Sequence, residues 1–213
     1  MTVWRRELLG ALERQRGDRS ALFYALATVE GGSNAVPRVR YVVHRNFLGN
    51  TDCLLTTTDM RSEKGKQIGV AQRVPVELAW YISAERTQFR IRGQAFLVGA
   101  PDATAKDVVA PQTEGFWPES QNWSAERVHM WQSLSPAMQR SFLGPPPGMP
   151  MSSTGSEPNL ENTTEPRGDN VSPNFAILVI EPSEVDQLDL SSFRRTIYTR
   201  ESTGVWTQGE VVP

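Results

Sequence analysis

The sequence predicts a mainly β protein: an antiparallel barrel or sandwich with a few flanking helices. Three observations lead there. Short runs rich in β-branched and aromatic residues recur between turn signals over the first hundred residues. Five such runs follow one another through tight connections with one short helical stretch among them, whereas a doubly wound parallel sheet needs a crossover helix after each strand. No G-x-G-x-x-G opens a helix, so a Rossmann dinucleotide site is not expected.

The elements follow in order. Residues 3–16 place Trp4, Leu8, Leu9 and Leu12 on one helical face with Arg and Glu on the other, which predicts an amphipathic docking helix. Residues 21–30 read as a strand, Gly31-Gly32-Ser33-Asn34 as a turn, and residues 36–45 as an alternating strand that closes a hairpin. Cys53 to Thr58 is a third strand. Asp59 to Ser62 is a turn, with Ser62 as N-cap of a helix over about residues 63–72 that Pro75 stops. Residues 76–83 and 87–98 form two more strands around Ala84-Glu85-Arg86, and Gly93 marks a bulge or a close backbone approach. Helices are expected over 124–143, with Ser124 as cap and a second short helix from Pro136 to Phe142. Residues 151–173 are polar and predict a mobile surface loop. Phe175 to Ile180 is a buried strand. Val185 to Leu190, Arg195 to Arg200 and Gly204 to Val212 read as closing strands.

Composition bounds the function. The chain has 213 residues and a net charge of −2, so no global basic field recruits nucleic acid. Without a composition break in its first 145 residues, it reads as one domain over 1–213. The single cysteine, Cys53, forms no disulfide within the chain and no Cys-based zinc site, which fits a reducing compartment. No apolar run approaches the ~20 residues of a membrane helix, and a cytoplasmic location is expected.

Against that acidic background, Arg, Lys, Ser and Thr concentrate at the ends of strand-like runs: Arg40 to Arg45, Thr56 to Lys64, and Thr87 to Gly93. Arg offers a planar fork, Lys a point charge and Ser/Thr short donors, a set suited to a phosphate. Ser62 at a helix start, flanked by Arg61 and Lys64, predicts an anion site with a helix dipole behind it. Arg40 reaches it if the third strand pairs with the second. Gln88 offers a donor and an acceptor for the edge of a planar ring. His44 and His129 lack metal-ligand spacing, and no Ser sits in a nucleophile elbow. Trp4, Trp80 and Trp131 fit core positions, and Trp117 and Trp123 fit a pocket cover or a subunit contact.

The order of these pieces resembles the pyridoxamine 5′-phosphate oxidase-like branch of the FMN-binding split-barrel superfamily. The match runs through Ala25 to Val29, Pro37 to Arg40, Thr58 to Lys64, Val76 to Tyr81, Gln88 to Gly93, Trp131 to Pro136, Phe142 to Pro150, and Pro182 to Leu190 ahead of Arg195 and Trp206. The resemblance implies a six-stranded antiparallel split barrel and a homodimer with one FMN per subunit in a cleft between the chains. It implies that Arg40, Tyr41, Val42 and Val43 line the flavin, with Arg40 on its phosphate. Thr57 and Thr58 lie near the phosphate and ribityl chain, Arg61, Ser62 and Lys64 complete the clamp, Gln88 meets the ring, and Arg195 approaches it from the partner chain. Two departures stand out. The middle of the family's Ser-Arg-Lys run is Glu63, leaving Arg61 to supply the charge. The family's Arg-x-His-x-Arg substrate run reads Ser191-Ser192-Phe193-Arg194-Arg195, and the aromatic position ahead of it is Val185. The resemblance thus implies an FMN-dependent oxidoreductase with a small-molecule substrate. Vitamin B6 phosphate oxidation, or a non-catalytic, redox-sensing flavin-binding dimer, are its alternatives.

Overall fold

A computed structural model describes residues 1–31, 35–100, 117–118, 120–150 and 170–213. Helix α1 (Val3–Arg14) buries Trp4, Leu8 and Ala11 against a β-sheet. Strands β1 (Phe23–Glu30) and β2 (Val36–Val43) form the expected antiparallel hairpin, from Phe23 opposite Val43 to Glu30 opposite Val36. Next come β3 (Asn46–Phe47), β4 (Leu54–Asp59), helix α2 (Glu63–Ile68), β5 (Val74–Ile82) and β6 (Thr87–Gly99). Helices α3 (Trp123–Gln132) and α4 (Pro136–Ser141) precede β7 (Phe175–Asp189), β8 (Arg194–Arg200) and β9 (Trp206–Val211). All strand pairs are antiparallel. The sheet order is β2-β1-β5-β6-β7-β4-β3, with β8 on β7 and β9 on β8. The antiparallel split barrel is therefore present, with nine strands among the described residues where the resemblance implied six. Among the described residues, no helix is long and apolar enough to cross a membrane.

Sheet curvature divides the apolar side chains between two clusters. One holds Trp4, Tyr24, Leu26, Trp80, Phe89 and Ile91 beneath α1. The other holds Phe96, Val98, Trp131, Phe142, Phe175 and Ile177 beneath α3 and α4. The first half of β7, Phe175 to Ile180, is buried on both faces because it runs between the clusters, which explains an unbroken apolar run in place of alternation. Trp80 is fully buried and donates its indole N–H to the Ala21 carbonyl at 2.7 Å, so its polar edge is satisfied.

Several boundaries depart from the sequence expectation for local reasons. The helix expected over 63–72 ends at Ile68, because Gly69 takes φ +73° and Val70 then bridges to Leu97. Asn122, not Ser124, caps α3 through the Ala125 N–H at 3.0 Å. The separate strand expected at Val185 to Leu190 is the second half of β7. Its continuity passes a bulge between Arg92 and Gly93, where Gly93 lies opposite Pro182. A Cβ at Gly93 would stand 2.0 Å from the Glu181 carbonyl oxygen, so the close approach expected at this glycine is real. The 151–173 loop expectation falls almost wholly outside the described residues.

The pairing of the third strand with the second, the condition set for Arg40 to reach the anion site, does not occur. Strand β4 pairs with β3 and β7, and β2 ends the sheet beside it. Two single contacts span this seam: Arg45 N–H to the Leu55 carbonyl at 2.9 Å, and Thr56 Oγ1 to the Val43 carbonyl at 2.6 Å. An unpaired β2 edge leaves backbone groups without strand partners along the seam.

Candidate functional site

A cavity of about 250 Å³ opens on that seam. It is lined by Tyr41, Val42 and Val43 from β2, Arg45 beyond it, Thr56 to Asp59 from β4, Lys64 from α2, and Met138, Ser141 and Phe142 from the end of α4. The register explains the convergence. Thr57 is opposite Ile177 and Thr58 opposite Ala176, which fixes β4 on the buried strand, and the turn after Asp59 then carries Lys64 back to the cavity, with Ser62 buried beside Thr58 and outside the lining.

Cations here lack carboxylate partners among the described residues. Lys64 has one polar contact among the described residues, Ser62 Oγ at 3.5 Å. Burial lowers its pKa below the usual ammonium value, and the Arg40 charge lowers it further, with Asp59 acting in the opposite sense. Arg40 donates to neutral acceptors: Thr28 Oγ1 at 2.6 Å, Gln67 Oε1 at 2.8 Å and the Leu26 carbonyl at 3.3 Å. Burial, and then Arg38, lower its pKa too. Arg45 adds a half-buried guanidinium whose Nε is buried without a hydrogen-bond partner. Half-buried cations that meet no carboxylate among the described residues, with Lys64 also under the charge of Arg40, are stabilised by a bound anion. Thr57 and Thr58 place hydroxyls beside them, and Thr58 Oγ1 lies 3.4 Å from Ser62 Oγ.

Several expected residues sit differently. Arg61 is turned to Asp59 and to the Phe142 and Gly144 carbonyls, at 3.2 and 2.9 Å, and does not line the cavity. Its guanidinium ties the β4–α2 turn to the segment after α4, and the cations that line the cavity are Lys64 and Arg45. Ser62 caps α2, accepting from Gly65 N–H at 3.3 Å and donating to the Asp59 carbonyl at 2.6 Å. Because α2 has six residues, the helix dipole expected behind the site is reduced to that of fewer than two turns. Trp117 and Trp123 pack on Phe96 and on each other, at 5.1, 6.0 and 5.7 Å between ring centroids, and line no part of this cavity.

Gln88 and Arg195 are absent from the cavity of their own chain. They belong to the outer face of the sheet, in one row across three strands: Gln88 opposite Leu188, and Leu188 opposite Arg195. Asp186 holds Arg195 through two hydrogen bonds, 3.0 and 2.9 Å, and also contacts Arg90. The same outer face carries exposed apolar side chains on β2, β1 and β5. Val39 is 71% and Tyr41 76% exposed, and Phe23 and Tyr81 are half-exposed. Tyr41 belongs to both the face and the cavity.

Sequence reasoning missed Arg45, Thr56, Asp59, Met138, Ser141 and Phe142. Arg45 stood within the basic cluster, but its orphaned Nε depends on the seam, and α4 reaches the cavity from about eighty residues away in the chain. A larger groove, about 490 Å³, lies between α1 and β8–β9. Its acids Glu7, Asp189 and Glu210 outnumber Arg194, which is paired with Glu210, so it does not suit an anion.

Comparisons with known proteins bear on the family and the fold. The family described as "Pyridoxamine 5′-phosphate oxidase, FMN-binding domain" matches residues 1–99. The chain is 29% identical over 215 residues to pyridoxine/pyridoxamine 5′-phosphate oxidase 2 of Arabidopsis thaliana, covering 99% of this chain and 96% of that protein. The solved structure of a pyridoxamine 5′-phosphate oxidase-related, FMN-binding protein from Nostoc punctiforme superposes with a TM-score of 0.80 at 31% identity, over 100% of this chain and 99% of the other. PhzG from Burkholderia lata, solved with tetrahydrophenazine-1-carboxylic acid, shares the fold at a TM-score of 0.67 and 17% identity, over 99% of this chain and 91% of that one.

Proposed function

This chain belongs to the pyridoxamine 5′-phosphate oxidase-like family of FMN-binding split barrels, and on that premise we propose that it is an FMN-dependent oxidoreductase acting on a small molecule as a homodimer. One observation carries the reading: Lys64 and Arg45, without carboxylate partners among the described residues, line a cavity walled by Tyr41 to Val43 and Thr56 to Thr58, and Arg40, outside that lining, adds its charge to that of Lys64. That donor set fits FMN. Lys64 and Arg40 hold the phosphate, Thr57, Thr58 and Ser62 supply hydroxyls near it, and the free β2 edge at Tyr41 to Val43 faces the ring. Arg61 acts from behind, fixing the turn that carries Ser62 and Lys64.

When bound, FMN supplies hydride and electron transfer, and the protein holds and tunes it. The side chains bind, orient and exclude water. Met138 and Phe142 give the cavity an apolar wall, where charge-assisted contacts strengthen. Gln88 and Arg195 lie on the face that carries exposed Val39 and Tyr41. A two-fold contact through that face brings the partner's Gln88 and the partner's Arg195 to the Tyr41 edge of the cavity, with Asp186 fixing the guanidinium of Arg195.

Absorbance of the purified protein tests this. One FMN per chain, with bands at about 370 and 450 nm, supports the reading, and a colourless protein that cannot be reconstituted ends it. Turnover is then measured as flavin reduction by NAD(P)H or reoxidation by oxygen with candidate amines. Hydrogen peroxide release with pyridoxamine 5′-phosphate identifies vitamin B6 oxidation. A loaded protein inert in every assay is a flavin-binding dimer without turnover.

A further inference from the structure

Lys64 and Arg40, the two cations assigned to the phosphate, are held differently. Lys64 lines the cavity. Arg40 lies outside that lining, and after burial its charge is the next cause that lowers the pKa of Lys64. A closed ring of neutral groups fixes Arg40. It donates from Nη1 to Thr28 Oγ1 at 2.6 Å and from Nη2 to Gln67 Oε1 at 2.8 Å, and the Thr28 hydroxyl donates to the same Gln67 Oε1 at 2.6 Å. Every direction in this ring is forced. A guanidinium only donates, so the Thr28 oxygen accepts from it and passes its own hydrogen to Gln67, and of the two amide atoms of Gln67 only the oxygen can take both bonds. The remaining contacts of Arg40 are the Leu26 and Arg38 carbonyls at 3.3 and 3.4 Å. Thr28 is 3% exposed and Gln67 is half-buried, so water competes weakly for these bonds. Carboxylates near in the chain are engaged elsewhere: Glu30 with Arg38 at 2.7 Å, Asp59 with Arg61 at 2.7 Å and Glu63 with Lys66 at 2.9 Å. Gln67 follows Lys64 by three residues on α2, so the two side chains share one side of that helix. A single short helix thus carries one cation and the acceptor that fixes another.

We propose that Gln67 is a positioning residue for the cofactor phosphate: its neutral amide, braced by Thr28, holds the Arg40 guanidinium in one orientation without cancelling its charge. The inference rests on the FMN reading above and adds to it a residue outside the cavity. An arginine loses much rotamer freedom when it is ordered, and here that loss is met within the protein before any ligand arrives. The phosphate then meets a preorganised positive field. A glutamate at position 67 has the same length and would also steady Arg40, but as an ion pair it would remove the attraction for an anion. The length of the side chain at 67 therefore sets where Arg40 stands, and its neutrality sets how strongly the site takes a phosphate.

The test compares FMN with riboflavin, which has the same ring and ribityl chain and no phosphate, by fluorescence titration of the FMN-free protein. Gln67→Glu is expected to weaken FMN about 10- to 100-fold and to leave riboflavin within about threefold of wild type. The Tm of the FMN-free Gln67→Glu protein is expected to be unchanged or raised, because the new carboxylate pairs with Arg40. Gln67→Met removes the acceptor and adds no charge, and is expected to weaken FMN about three- to tenfold, again with riboflavin unaffected. Wild-type FMN affinity in either variant overturns the proposal. So does an equal loss for FMN and riboflavin, which makes Gln67 a structural residue of α2. Should Gln67→Glu not fold, Gln67→Met decides by the same two criteria. A wild-type protein that takes riboflavin as tightly as FMN, or takes neither, is a separate result: it removes the phosphate reading itself, and the inference with it.

Discussion

Asp59 grips Arg61 through three hydrogen bonds, 2.8 Å to the backbone N–H and 3.0 and 2.7 Å to the guanidinium, and so turns that arginine away from the cavity its neighbours line. The Arg61 side chain is 25% exposed and that of Asp59 8%, so the pair is held in a partly dehydrated place where its geometry persists. Two cations three residues apart therefore have different roles. Arg61 builds the turn, and Lys64 faces the cavity.

Arg61→Ala should lower stability by about 1–3 kcal/mol, because it strands the buried Asp59 carboxylate and two backbone carbonyls. In a chain of this length, that is a fall in Tm of very roughly 2–12 °C. The FMN affinity of the folded fraction should stay within about threefold of wild type. Scanning calorimetry and flavin fluorescence titration measure the two. A large loss of affinity with unchanged Tm would return Arg61 to the phosphate clamp.

Lys64→Ala and Arg40→Ala should show the reverse pattern. Each removes a charge-assisted contact to the phosphate, worth about 1.5–3 kcal/mol, so FMN should bind about 10- to 100-fold more weakly. Lys64→Ala should leave Tm of the FMN-free protein nearly unchanged, since its one polar partner is Ser62 at 3.5 Å. Affinity should also fall as salt rises. Equal Kd values for variant and wild type would remove these residues from the site.

Val39→Glu places a charge on the exposed apolar face of β2 without touching the core, since Val39 is 71% exposed. The expected product is a folded monomer with weakened FMN retention, seen by light scattering coupled to gel filtration. A stable dimer carrying this substitution would relocate the two-fold contact.

Gly93→Ala puts a methyl group 2.0 Å from the Glu181 carbonyl oxygen, and the neighbour is backbone that cannot swing aside. Destabilisation of about 3 kcal/mol or more is expected, read by chemical denaturation. A loss below about 1 kcal/mol would mean that the bulge opposite Pro182 relaxes freely.

His44 gives the protein an acid sensitivity. It packs against Phe47 and Trp80 at 5.0 and 4.9 Å, and burial, assisted by the Arg5 charge, lowers its pKa from 6.5 to about 3. Between those values the unfolded chain binds a proton that the folded one does not. Stability is therefore full above pH 6.5 and falls with acid toward pH 3, by up to about 1.4 kcal/mol per pH unit. Denaturation curves of wild type and His44→Leu across this window isolate the histidine from the carboxylates. Identical slopes for the two proteins would contradict the assignment.

By itself the sequence determined what depends on neighbours in the chain. Alternation in 36–45 and 87–98 marked strands, the Gly31 to Asn34 turn marked a hairpin, Ser62 marked a helix start, and the run at Phe175 to Ile180 marked a strand buried on both sides. It also placed Arg40, Tyr41, Val42, Val43, Thr57, Thr58, Ser62 and Lys64 close enough in the chain to be considered together. Tertiary structure alone decided which of their charges are free. Ion pairing falls off within a few ångströms and is blind to chain separation, so Asp59 could claim Arg61, Asp186 could claim Arg195 from the next strand, and Arg45 could remain without a partner at the seam. The same locality in space brought α4 to the cavity and parted Gln88 and Arg195 from it. Which face a strand turns to the core follows from a two-residue period, but which strand lies beside it follows from how the sheet curls, and no short stretch of sequence carries that curl.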